Sequence, residues 1–180
     1  VTDLIDRYKQ MAAGGSQFHG LTVLDHVKSI GRLARAVGAT SMLDYGCGRG
    51  DAYRSPHKLH HQLGIKRANV RLYDPSFPAH SEFPLGDWDL VICSDVLEHV
   101  PEDEVDWLLG TLFRCARKAV WMSVCCRPAK KTFPGTDINL HVTVRPFDWW
   151  KEKVEAMWRA EMSPEGGEAR QIDYNLVETK

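Results

Sequence analysis

The run 88-WDLVICSD-95 is apolar almost from end to end. A strand with one wet face alternates apolar and polar residues, so this run calls for cover on both faces. Three further segments read as strands: 41-SMLDYG-46, 69-NVRLYD-74 and 119-AVWMSVCC-126. Helical spacing fills much of the chain around them. Leu21, Leu24, Val27, Ile30, Leu33, Ala34 and Val37 recur at helical intervals over 21–37, and Val105, Leu108, Leu109, Leu112, Phe113 and Ala116 do so over 102–117. Helices are also expected over 3–13 and 147–159, and over 52–63, where Pro56 and three histidines work against one. Strands alternating with helices predict an α/β fold, a mostly parallel sheet with helices on both faces. At the end of the chain, segments 158–163 and 170–179 joined by 164-PEGGE-168 read as an antiparallel hairpin.

At 180 residues the chain suits one domain, with 1–38 as a helical cover and 39–180 as the core. A net charge of −1 offers no basic field for nucleic acid or an anionic membrane. No apolar stretch approaches a bilayer span, and 1-VTDLIDRYKQ-10 lacks the layout of a signal peptide. Five cysteines without a C-x-x-C pair are read as reduced thiols in a cytoplasm.

In such sheets ligands bind beyond the carboxyl ends of the strands, and a glycine-rich turn, 44-DYGCGRGD-51, stands at one of them. Gly46, Gly48 and Gly50 allow a sharp turn and close approach to the backbone, ahead of helix N–H groups. The spacing is G-x-G-x-G, whereas the dinucleotide fingerprint is G-x-G-x-x-G. Asp44, two residues before the first glycine, would repel a pyrophosphate and suits a cation.

LDYGCGRG resembles the first motif of class I S-adenosylmethionine-dependent methyltransferases, which are Rossmann-like. Asp74 in RLYDP sits where that family has its ribose-binding carboxylate. The segment 88-WDLVICSDVLEHVPED-103 is similar to the family's fourth strand and the loop after it. The resemblance covers about 40–126. It implies S-adenosyl-L-methionine as cofactor, held by Asp44, Gly46, Cys47, Gly48, Gly50, Asp74, Pro75 and Ser94. Only thirteen residues, 75–87, separate Asp74 from Trp88. The family's helix and third strand would need roughly twice that length, so this region is expected to be shortened, with Phe77, Phe83 or Leu85 covering the adenine. The compact pattern, with YDPSF, DVLEHVPEDEVDW and RPAKKTFPGTDINLHVTVRPFDWW, resembles small methyltransferases of phage and bacterial surface-glycan settings, which implies a sugar-like acceptor, a hydroxyl of a small molecule or glycan. No nucleic acid is expected as a partner.

Methyl transfer to oxygen needs alignment and a base near the acceptor. His141, in 138-INLHVTV-144, is the first candidate, with a backbone-bonded loop histidine as the alternative. Asp95 and His99 join it as catalytic candidates. Asp95 could equally cap the following helix, and the resemblance favours a place near the cofactor for His99. Glu98 reads as solvated or paired. Asn139, Trp149 and Trp150 are candidates for an acceptor pocket, although neighbours on a helix point about 100° apart and one tryptophan belongs to the core. Arg127, Lys130, Lys131 and Arg145 could hold an acidic acceptor or be plain surface charge. The segment 14-GGSQFHG-20 reads as a flap, with Phe18 and His19 able to touch the cofactor. His57 and His61 stand four apart without a third ligand, and no metal site is expected. Two other functions stay open: a cofactor-binding subunit without turnover, and a nucleic-acid methyltransferase. Against the latter, SDVLEH replaces the Asn/Asp-Pro-Pro-Tyr/Phe pattern of amino-methylating enzymes.

Overall fold

The computed structural model describes residues 2–14, 18–163 and 169–179. The expected turn at 164–168 and part of the flap, 15–17, lie outside them. Five strands form one sheet in the order β2-β1-β3-β4-β5. They are β1 (Met42–Tyr45), β2 (Val70–Tyr73), β3 (Trp88–Ser94), β4 (Ala116–Cys125) and β5 (Asp173–Thr179). Every neighbouring pair is parallel. The order turns back between β1 and β3, which opens a crevice at their carboxyl ends.

Period-two alternation divides the sheet between two cores. Leu90, Ile92, Ala119 and Trp121 face one side, where α2 (Val27–Ala36) and α3 (Leu59–Gln62) bring Ile30, Ala34 and Leu59. Val91, Cys93, Val120 and Met122 face the other, against Leu108, Leu112 and Phe113 of α4 (Val105–Cys115) and Trp150 and Val154 of α5 (Phe147–Met162). Each large apolar side chain fully buried in these layers contributes about 1.5–3 kcal/mol. Trp121 is wholly buried, and its indole N–H donates to Ser29 Oγ at 3.1 Å. The first helix, α1 (Thr2–Ala13), lies apart from the sheet and packs Met11 against Phe133 and Leu140.

The expected C-terminal hairpin is a correction. Residues 158–162 continue α5, and β5 runs parallel to β4 with Asp173 opposite Ala119 and Thr179 opposite Cys125. Buried Met162 falls eight residues after buried Val154 and so on the same helical face, and burying it extends the helix past Trp158. The helix expected over 52–63 shrinks to a 3-10 turn at Asp51–Tyr53 and the four residues of α3. Arg54 is extended and Lys58 left-handed, which breaks the helical path. A 3-10 turn at Thr22–His26 also replaces the first part of the helix expected over 21–37. The 75–87 connection holds only a 3-10 turn at Pro78–His80, and neither helix nor strand of the family pattern is present there.

Candidate functional site

The last residue of every strand (Tyr45, Tyr73, Ser94, Cys125 and Thr179) lines one cavity of about 1080 Å³. That volume stands at the top of the range of about 300–1,000 Å³ for ligand pockets. Leu4, Ile5 and Tyr8 of α1 and Phe18 to Thr22 supply another part of the wall. Gly46, Gly48, Asp74, Pro75, Ser94, Asp95, His99 and His141 all line it. Asp44, Cys47 and Gly50 do not.

The glycines serve the turn and its cover. Gly46 has φ +85, and a Cβ there would meet Val96 Cγ2 at 2.2 Å, across the crevice between β1 and β3. At Gly48, φ +57, a Cβ would meet the Phe18 carbonyl oxygen at 2.2 Å. The flap therefore rests on the turn: Phe18 O accepts from Arg49 N at 2.9 Å, and His19 O from Asp51 N at 3.2 Å. His19 Nδ1 and Asp51 Oδ2 lie 3.0 Å apart and tie the two segments again. The expected helix N-terminus behind the glycines is only a three-residue 3-10 turn.

Asp74 joins the turn to β2. Its Oδ2 accepts from Gly48 N at 2.9 Å and its Oδ1 from Ser76 N at 2.8 Å. Burial raises its pKa, and those two amides pull it partly back. Each oxygen keeps a further lone pair. Asp44 corrects the expectation of a carboxylate facing the ligand. It is buried behind the turn, where Tyr53 Oη donates to Oδ2 at 2.8 Å, and burial raises its pKa to about 7 against the pull of that bond.

At the end of β3 the chain bends through Asp95 in a left-handed conformation, φ +53, rare for a residue with a side chain. Asp95 Oδ1 accepts from Ser123 Oγ at 3.0 Å and Thr179 Oγ1 at 3.1 Å, which holds the bend to β4 and β5. Asp95 thus anchors the loop between neighbouring strands, and α4 begins ten residues later.

Beyond that bend, Glu98, His99 and His141 converge. Glu98 is 0% exposed, which corrects the reading of a solvated or paired acid. Its Oε1 accepts from Cys125 N at 3.0 Å, and its Oε2 has no hydrogen-bond partner. Burial, then the nearby Asp95, pushes its pKa up to about 8. His99 Nδ1 lies 2.9 Å from the Leu140 carbonyl oxygen, which only accepts, so Nδ1 carries the proton. Tyr8 Oη, 3.0 Å from that Nδ1, donates to the same carbonyl at 2.7 Å. Burial, then His141, lowers the His99 pKa to about 4. His141 Nδ1 lies 2.6 Å from the Arg127 carbonyl oxygen and donates to it. The two rings meet edge to face, 4.9 Å between centroids.

Several expected residues stand elsewhere. Asn139 bonds both backbone groups of Ala129 and pins the 129–141 loop. Trp150 is buried in the core, while Trp149 packs beside Arg145 and Lys153. Neither lines the cavity; Trp107 does, 57% exposed. Phe77, Phe83 and Leu85 are absent from the lining, as are Arg127, Lys130, Lys131 and Arg145, the last paired with Glu102. His57 lies outside the short α3 and His61 on its exposed side. Tyr8 and Glu98 are the site residues that sequence reasoning missed. The lining carries six carboxylates, Asp25, Asp74, Asp95, Glu98, Glu104 and Glu178, and among the described residues no lysine or arginine. No helix among the described residues is long and apolar enough to cross a membrane.

Compared with models of known families, with curated proteins and with solved structures, the chain matches none. The architecture is a five-stranded, all-parallel α/β sheet with helices on both faces, and its carboxyl ends form the candidate site.

Proposed function

We propose that the protein is a Rossmann-like methyltransferase that binds S-adenosyl-L-methionine in this cavity and methylates a hydroxyl of a small molecule or glycan. The observation that carries the reading is a lining with six carboxylates and, among the described residues, no lysine or arginine. Such a wall disfavours a pyrophosphate or a nucleic-acid backbone and favours a cation. The residues present fit the cofactor. Asp74 has lone pairs left for ribose hydroxyls, and the Gly46 turn keeps the crevice between β1 and β3 free of side chain from that position. Pro75, Ser76 and Tyr73 adjoin Asp74 in the wall and stand where a base would lie, in place of the missing third strand. When bound, S-adenosylmethionine supplies a methyl group already activated on a sulfonium.

The chain's part is position. Ser94 and Asp95 stand at the end of β3 and present polar atoms to an acceptor. Trp107 offers an exposed indole face at the cavity wall, suited to a sugar ring. His99 and His141 add imidazoles whose Nδ1 atoms are already engaged, which leaves each Nε2 for the acceptor side. The flap and α1 supply part of the cavity wall.

The test is calorimetric titration of S-adenosylmethionine into wild type and Asp74→Ala. Micromolar binding is expected, at least about 10-fold weaker in the variant, a loss of about 1.4 kcal/mol or more. A variant that binds as well as wild type, with its fold intact by circular dichroism, would refute the assignment of Asp74.

A further inference from the structure

Glu98, His99 and His141 come from two separated stretches of chain, the bend after β3 and the loop after β4. One donor atom from each lies within 4.8 Å of the other two, and among the described residues this is the one such group of three. Two independent features of the surroundings point the same way. The first is Glu98 Oε2, a carboxylate oxygen in a fully buried side chain with no hydrogen-bond partner. An unpartnered buried carboxyl oxygen carries an uncompensated desolvation penalty, so natural structures rarely leave one without a partner. The second is the matched state of the two rings. Each Nδ1 donates to a backbone carbonyl, that of Leu140 for His99 and that of Arg127 for His141. That bond fixes the tautomer and leaves Nε2 with its lone pair, the arrangement that metal-binding histidines adopt. Tyr8 braces the Leu140 carbonyl from α1, so even the outer support is built.

We propose that Glu98, His99 and His141 form a binding site for a first-row divalent cation, with its remaining positions open to the cavity. Two imidazoles and one carboxylate suit zinc, iron(II), cobalt(II) or manganese(II) better than calcium, which takes six to eight oxygens. Metal–ligand bonds of about 2.0–2.2 Å place neighbouring donors roughly 3–3.5 Å apart. Donors that now lie within 4.8 Å of one another would have to close in on binding. Cys125 N holds Glu98 Oε1, so the carboxylate offers its other oxygen. The open positions of the ion would face the wall that carries Ser94, Asp95 and Trp107, where an oxygen of a substrate could complete the coordination. His141 is then a ligand and not a free base. The site itself does not depend on the methyltransferase reading, because nothing in its geometry uses the cofactor.

The experiment is titration of cobalt(II) into the metal-free full chain without S-adenosylmethionine, followed by visible absorption and by calorimetry. One equivalent should bind with d–d bands in the visible and raise the melting temperature. His141→Ala, on the cavity wall and outside both cores, should weaken binding at least about 30-fold, since even outer-shell losses cost 10–100-fold. Glu98→Gln should do the same, and the double variant His57→Ala/His61→Ala should bind as wild type does. Two results would overturn the proposal: no binding by wild type up to millimolar cobalt, or binding kept in His141→Ala and lost in the His57/His61 variant. Either leaves the separate S-adenosylmethionine titration untouched.

Discussion

The two ends of the sheet both bury carboxylates, and they treat them in opposite ways. At the amino ends, Asp89 at the start of β3 is 3% exposed. Its Oδ2 accepts from both the amide and the hydroxyl of Thr40 at 2.8 Å, and Arg117 and Lys118 reach it at 3.1 and 3.4 Å. Burial works against the charge, but these partners outweigh it and hold the pKa at about 2. At the carboxyl ends, Asp44, Asp74 and Glu98 are all raised, each by burial first. Glu98 Oε2 has no partner, and Asp95 sits in a strained left-handed bend. One end satisfies its acids and joins β1, β3 and β4 into a unit. The other leaves acids undersupplied with positive charge: Asp44 behind the glycine turn, and Asp74 and Glu98 in the cavity wall. Folding alone gains nothing from that arrangement, and the proposed cationic ligand would complete the second end.

The largest effect expected from breaking this contrast is at Asp89. Asp89→Ala removes the acceptor of the Thr40 amide and hydroxyl and the partner of the exposed Arg117 and Lys118, and should cost about 3 kcal/mol by chemical denaturation, since hydrogen bonds to a charged group contribute about 1.5–3 kcal/mol each. Glu98→Gln in the metal-free protein should change stability by less than about 1 kcal/mol, since only one oxygen of Glu98 is bonded. Equal losses at the two positions would abolish the distinction between the ends.

The next effect is in the pH dependence, and its sign differs between the ends. Asp44 has a folded pKa of about 7, above its ordinary carboxylate value. Its contribution to stability is full below about pH 4 and is lost as pH rises through 7. Asp44→Asn should remove that slope and be the more stable chain at pH 8 by about 2 kcal/mol. Asp89 runs the other way. Its contribution is full above about pH 4 and is lost as pH falls through 2. Melting curves from pH 2 to 8 on both variants would separate the slopes, and slopes of one sign would contradict the account.

A further stability effect is expected at the flap. Gly20 has φ +69, and a Cβ there would meet the Cys47 carbonyl oxygen at 2.0 Å. Gly20→Ala should cost about 1–2 kcal/mol of backbone strain and should weaken S-adenosylmethionine binding by lifting Phe18 and His19 from the glycine turn. Gly48→Val acts through the same contact, from the other side. Unchanged affinity in both variants would show that the flap does not cover the ligand.

Much of this was legible from local pattern. The apolar run at β3 announced a strand covered on both faces, and its residues do alternate between two cores. The glycine turn, Asp74 and the short 75–87 connection were likewise found where their spacing put them. What local pattern missed depends on partners far along the chain. Residues 158–163 carry an alternation that suits a strand, yet Met162 extends α5 into the core. The place of Asp44 before the glycines predicts a carboxylate facing a ligand, but its bond to Tyr53 holds it inward. Glu98 looked like any acid in a polar turn. Its burial comes from Cys125 and the loop that carries His141, both distant in sequence. The pair 98-EH-99 was a visible signal, and the spacing alone could not supply its third member.

The cavity at the carboxyl ends is proposed to select a cation. Parallel calorimetric titrations with S-adenosylmethionine and NAD test it most directly, since both carry adenosine and only one carries a pyrophosphate. Micromolar binding of S-adenosylmethionine is expected, with binding of NAD weaker by at least about 100-fold, a difference of about 2.7 kcal/mol. Equal affinities, or a preference for NAD, would contradict it.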